Sequence, residues 1–309
     1  MKKILIASTA LALTAGMASA ESHSSVALSG SARMGVQYDD SAAAGSPKML
    51  FTSRVRVSAA MSGTTDGGLS FGASMRFDQT GGNGAYTDSG GNTHGSTGTT
   101  NGDSTVYLSG EFGKITMGDV GGAADALVGQ TDGVGFGPND GLHEIGFIGT
   151  TKTAFYYEKS TAAGLTFGLG AGQAGSDELN VGVKYAADKF TVALGYEDDS
   201  TTGASHNRIS ASGSMTLGVA TVKAKYMTDS DAVANPEDSY SVSASGTFSG
   251  VGVTAFYTHF GSTKTENIGL GASYDLGGGA AIKGGVVSVG GAVAGTDKMV
   301  ADLGVTFSF

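Results

Sequence analysis

Apolar and polar residues alternate with a period of two along nearly the whole chain, and after residue 20 no apolar run is long enough to cross a membrane as a helix. In the first such segment Val26, Leu28, Ala32, Met34, Val36 and Tyr38 share one parity, while Ser29, Ser31, Arg33 and Gln37 hold the other. Side chains alternate across a strand, so each segment presents one apolar and one polar face. Met49, Phe51, Val55, Val57 and Ala59 repeat the pattern against Thr52, Arg54, Arg56 and Ser58. Leu69, Phe71, Ala73, Met75 and Phe77 do so against Ser70, Ser74, Arg76 and Asp78, and the alternation continues to Leu303, Val305, Phe307 and Phe309.

The spacing predicts about sixteen strands. Tight turns at residues 62–68, 160–164, 186–189, 217–219 and 275–279 alternate with polar loops at 79–102, 197–207 and 228–238. Short turns at one end and long loops at the other predict an all-β, transmembrane antiparallel β-barrel with its apolar parity toward lipid. Tyr38, Tyr185, Phe190, Tyr196, Tyr226, Tyr257 and Tyr274 fall near strand ends, where aromatic belts meet the two membrane surfaces. A barrel of this strand number encloses water rather than a packed core. A soluble β-sandwich is the competing fold, but its polar faces would not be this rich in Ser, Thr, Gly and charge.

Residues 1–20 read as a secretory signal: Lys2 and Lys3, an apolar stretch over 4–17, then Ala18, Ser19 and Ala20 ahead of a cut before Glu21. The barrel domain is then 21–309. The chain has no cysteine, which excludes disulfides and thiolate metal sites. Its formal charge is −10, and the leader removes two lysines and no acid, so nucleic acid is excluded as a partner.

One loop stands apart. Residues 120–150 hold Asp125, Asp132, Asp140 and Glu144 among small residues, and so long a connection inside a compact domain is usually functional. It is expected to fold back into the barrel. Arg33, Arg54, Arg56 and Arg76 lie on the polar parity, as do Lys184, Arg208, Lys223 and Lys225. Facing lipid at the midplane would cost about 2–4 kcal/mol for each Arg or Lys, so they are expected inside. An arginine wall opposite an acidic loop predicts a transverse field that sorts ions and small hydrophilic solutes at the narrowest point. The arginines favour anions and the acidic loops cations; a mild cation preference is the expectation.

Residues 30–36 (Gly30-Ser31-Ala32-Arg33-Met34-Gly35-Val36), 61–66, 69–74, 108–119, 269–279 and 299–309 resemble the general diffusion porins of alphaproteobacteria, the trimeric sixteen-stranded family of purple non-sulfur bacteria. The resemblance implies an outer-membrane homotrimer in lipid and lipopolysaccharide, with an inward-folded third loop. It places Arg33, Arg54, Arg56 and Arg76 on the basic side of the constriction and Asp125, Asp132, Asp140 and Glu144 on the loop side. It also implies that Phe309 is the signal read by the barrel assembly machinery.

Other motifs carry less. Gly170 to Gly175 spell a dinucleotide fingerprint with no helix to follow. The histidines His23, His94, His143, His206 and His259 are scattered, so no transition-metal site is expected. The competing class is an outer-membrane barrel enzyme or an adhesin-like barrel; for an enzyme, His206 with Asp198 and Asp199 is the pairing to inspect. No cofactor is expected, apart from calcium on the outer-loop acids Asp39, Asp40, Asp198, Asp199, Asp229, Asp231, Glu237 and Asp238.

Overall fold

The structure is a computed structural model that describes residues 24–42, 46–82, 86–87, 93–94, 99–137, 139–150, 153–173, 178–199, 206–230, 238–291 and 297–309. The signal segment, His23, Asp231 and Glu237 lie outside these residues. Among them, sixteen antiparallel strands close into one barrel. They are β1 Ser24–Asp39, β2 Met49–Thr64, β3 Ser70–Gly82, β4 Thr99–Gly110, β5 Gly113–Gly118 and β6 Ala154–Ser160. There follow β7 Leu165–Ala171, β8 Glu178–Ala186, β9 Phe190–Asp199, β10 His206–Leu217 and β11 Ala220–Asp229. The last are β12 Ser239–Phe248, β13 Val251–Phe260, β14 Thr265–Gly277, β15 Ala280–Val289 and β16 Lys298–Ser308.

Each strand pairs with its sequence neighbours, and β16 returns to β1 with Met34 opposite Val305. The seam is finished by the terminal residue: the Phe309 N–H donates to the Gly30 carbonyl at 2.9 Å and the Gly30 N–H to the Phe309 carbonyl at 3.2 Å. Among the described residues closure leaves no barrel strand with an unpaired edge, the condition for backbone polar groups to sit in hydrocarbon.

The burial pattern is the reverse of a water-soluble protein's. Leu28, Phe51, Val106, Leu194, Ile268 and Leu303 are more than half exposed, whereas Asn180, Glu197, Ser241, Ser243 and Asp302 are buried inside. The apolar parity therefore faces outward and the polar parity inward, as the alternation predicts. At the short-turn end the backbone reverses tightly: Gly277, Gly278 and Gly279 have φ of 82°, 62° and 86°, a left-handed run that side chains with a Cβ resist.

Two features differ from the sequence expectation. Strands β3 and β4 run into what reads as loop, pairing as far as Gln79 with Thr99, because ladder hydrogen bonds hold a strand beyond the membrane without an apolar face. A two-residue ribbon, Tyr86–Thr87 with Thr93–His94, follows β3. The connection between β5 and β6 is also not structureless. It contains a short helix α1, Ala123–Val128, and a 3₁₀ turn at Asp140–His143.

Candidate functional site: a loop seated inside the barrel

Inward-facing glycines create the seat for that loop. Gly182 of β8 lies in register with Gly168 of β7 and Gly195 of β9, a row without side chains across three strands. A Cβ on Gly182 would stand 2.7 Å from the Ala123 carbonyl oxygen, and one on Gly195 2.8 Å from the Ala123 neighbour Ala124 at its Cβ. The helix α1 thus lies directly on the wall backbone, with Ala123, Ala124, Leu127 and Val128 buried. Asn180, beside Gly182, takes the Ala123 N–H on its side-chain oxygen.

Farther along, Val134 sits over Gly271 and Gly285, and Phe136 over Gly35 and Gly304. Val134 packs with Phe256, Val287 and Val300, which are apolar residues on the inward parity. They form a small hydrophobic cluster between loop and wall, a second apolar contact beside that of α1.

Hydrogen bonds then fix the loop along its length. Thr131 and Ser241 share a hydroxyl contact at 2.7 Å, and Thr258 donates to the His143 carbonyl at 3.0 Å. Asn267 donates to the Leu142 carbonyl at 2.8 Å. Lys225, buried, donates to the Gln130 side chain at 3.0 Å and the Ile145 carbonyl at 2.7 Å, with its ammonium 3.6 Å from the centre of the Phe147 ring. Asp302 on β16 accepts the N–H groups of Phe136, Asn139 and Gly285 at 3.1–3.4 Å.

The four arginines gather on the inner wall of β1–β3. Arg33 and Arg54 are direct register partners. Arg56 forms a two-bonded pair with Asp78 at 2.8 and 2.9 Å, and Arg76 reaches the same carboxylate at 3.1 Å. Asp78 was visible in sequence as an inward residue but not as the shared partner of two arginines. Arg33 stacks beneath the loop, 5.9 Å from the centre of the Phe136 ring. The Nε atoms of Arg33 and Arg54 are inaccessible and have no hydrogen-bond partner among the described residues.

The acids of the loop divide. Asp140 and Glu144 are exposed in the lumen, and among the described residues their carboxylates carry no hydrogen bond or ion pair. The charge of Asp140 acts on both Arg33 and Arg54. Asp132, by contrast, does not stand toward the arginines: it is turned into the wall, bonded to Lys223 at 2.6 Å, to Ser245 at 2.9 Å and, through its N–H, to Ser243 at 2.9 Å. Asp125 is half-buried in the first turn of α1 on the side of Lys225.

Lys223, Lys225 and Arg208 are inside, as their parity requires, and they hold the loop: Arg208 donates to the Gly146 carbonyl at 3.0 Å while paired with Asp229. Asp302, Asn180 and the glycine row were not singled out from sequence. Their only signal is a break in size, Gly or a lone acid on the inward parity of an otherwise Ser/Thr/Lys face.

Other candidates are placed as follows. His206 is bonded to Asp229 at 2.8 Å. Asp39 bonds Ser41 and lies 3.6 Å from Lys298, and Asp40 accepts the Met299 N–H at 2.8 Å. Among the described residues no three metal-ligating side chains come together. The Phe309 ring projects outward, 70% exposed and stacked on Phe307.

A family model described as Gram-negative porin matches residues 7–291. The porin of Rhodobacter capsulatus is 34% identical, an alignment that covers 92% of this chain and 100% of that protein. A solved porin structure 33% identical superposes with a TM-score of 0.69, again over 92% of this chain and 100% of the other. An engineered variant of the Rhodopseudomonas blastica porin, 19% identical, has the same fold, with a TM-score of 0.75 at the same coverage.

Proposed function

Since this chain belongs to the Gram-negative porin family, we propose that its arginine wall and inward loop form a charged constriction that sorts the solutes the channel admits. The protein is an outer-membrane porin, a water-filled channel for passive diffusion of ions and small hydrophilic solutes. The observation that carries the finer reading is the opposition of Arg33 and Arg54 on β1–β2 to Asp140 on a loop fastened across the lumen. Fixed charges of opposite sign across a water-filled passage with low-dielectric walls favour polar solutes that align with the field and slow apolar ones, which must displace ordered water.

The family resemblance supports a homotrimer surrounded by lipid and lipopolysaccharide, and an exposed terminal Phe309 suits recognition by the assembly machinery. The leader at residues 1–20 suits export. A channel, rather than an enzyme, is the activity this lumen supports.

Planar-bilayer recording of the detergent-purified protein tests the reading. Large ohmic steps closing in threes, with a reversal potential in a salt gradient, are expected. A folded barrel that conducts nothing would overturn it.

A further inference from the structure

On the short-turn side of the loop lies a niche that the constriction does not use. The backbone of residues 133–135 forms its roof, and Thr254 of β13, Gly271 and Ser273 of β14 and Lys283 of β15 form its floor, around a cavity of about 110 Å³. That is room for a few water-sized groups. Gly252 and Gly271 bring no side chain to the wall here, and the loop touches it through Val134 over Gly271 and Gly135 over Gly285, leaving the space beside these contacts open.

The lining is one-sided in its chemistry. Lys283 makes no ion pair and no hydrogen bond among the described residues, although it faces inward beside Ser273, its register partner. The peptide N–H groups of Gly133, Val134 and Gly135 donate to no protein acceptor among the described residues. Thr254 and Ser273 add hydroxyls. The acids on these strands and on the loop beside the niche are engaged: Asp302 holds three peptide N–H groups, Asp275 accepts the Gly277 N–H at 2.8 Å, Glu266 lies 3.6 Å from His259, and Asp132 is bonded to Lys223 and Ser245. None of them lines the cavity. An ammonium, hydroxyls and peptide N–H groups without a protein acceptor among the described residues, all around one small space, are complementary to the oxygens of an anion, and charge-assisted bonds of that kind are the strong ones.

We propose that this niche is a transient binding site for a compact oxyanion of the phosphate class, reached from the periplasmic side beneath the loop. The proposal rests on the porin reading and adds to it a second station, separate from the arginine wall. A phosphate leaving or entering the constriction would pause on Lys283 before crossing, so the pore would treat this class of anion differently from chloride, which has no oxygens to satisfy several donors at once.

The test is single-channel recording in dilute potassium chloride, with inorganic phosphate added to one side at matched ionic strength. The expected result is a saturable fall in chloride current, stronger from the periplasmic side. In Lys283→Gln the apparent affinity should weaken about tenfold, the worth of one charge-assisted hydrogen bond. Lys184→Gln, which removes an inward lysine from β8 away from the niche, should leave the phosphate response unchanged. Heat-shift electrophoresis establishes that each variant is folded. A response without saturation, or one equal in Lys283→Gln and wild type, would overturn the site while the conductance steps themselves leave the channel reading standing. The absence of steps from a folded barrel would overturn the channel reading instead.

Discussion

The carboxylate of Asp302, on the last strand, accepts the peptide N–H of Phe136, in the middle of the inward loop, with both oxygens at 3.3 Å. The contact joins residues 166 positions apart and is buried, with Asp302 6% exposed. The same carboxylate holds the N–H of Asn139, so one side chain fixes the bend that brings Asp140 toward Arg33. Asp302→Ala strands three N–H groups in a buried site, and a stability loss of about 3 kcal/mol is expected. Asp302→Asn, which keeps an acceptor oxygen, should lose less. The urea midpoint of the detergent-folded barrel measures both, and protease nicking within residues 119–153 should rise in the alanine variant. Equal stability in all three proteins would show that Asp302 does not hold the loop.

Filling the glycine seat tests the packing in isolation from charge. A side chain on Gly182 meets the Ala123 carbonyl at 2.7 Å, and two backbones cannot both yield. Gly182→Val should displace α1 and cost about 1–3 kcal/mol, the usual range for overpacking. Gly213 on β10 has nothing nearer than 3.6 Å at its Cβ position, so Gly213→Val should be neutral. Thermal unfolding of the pair, with single-channel conductance as a second readout, decides the matter. A Gly182→Val barrel with wild-type stability and conductance would mean that the loop does not depend on the close approach.

Much of this was legible in the sequence because a barrel wall obeys one local rule. Parity alone assigns Leu28 outward and Arg33 inward, since a charge in lipid costs more than any strand propensity can offset. The loop was not legible to the same degree. Asp125, Asp132, Asp140 and Glu144 look alike in sequence, yet only Asp140 and Glu144 open to the lumen. Asp132 is claimed by Lys223, 91 residues away, and no local pattern announces a partner at that distance. The helix α1 was missed for the same reason: six residues between Gly122 and Gly129 make no stable helix alone, and it exists because Gly168, Gly182 and Gly195 leave it a place.

Charge reversal of selectivity should follow the two sides of the proposed constriction. A unit charge about 6 Å from a passing ion in water is worth about 0.7 kcal/mol, or about a threefold change in relative permeability. Arg54→Gln should move the reversal potential toward cation preference by roughly that factor. Asp140→Asn with Glu144→Gln should move it toward anions. Asp78→Asn should also favour anions, since Arg56 and Arg76 lose the carboxylate they share. Asp132→Asn, bound into the wall, should move it least. All shifts should shrink in about 1 M salt, where the screening length falls to about 3 Å. Reversal potentials that ignore the sign of the removed charge would refute the opposed-charge constriction.

At Phe309 the seam and the proposed role in assembly can be tested separately. Its backbone closes the seam through two hydrogen bonds with Gly30, but its ring, which lies over Gly30 and stacks on Phe307, stands 70% exposed. Phe309→Ala keeps both backbone bonds, so refolding from urea into detergent should proceed with a midpoint within about 0.5 kcal/mol of wild type, as for a surface substitution. If the ring is what an assembly factor reads in cells, as proposed, the yield of the variant in the outer membrane should fall severalfold. Deleting Phe309 removes the seam bonds as well and should impair refolding in vitro too. If Phe309→Ala reaches the membrane in normal amounts, the ring has no part in assembly and the terminal residue serves the seam alone.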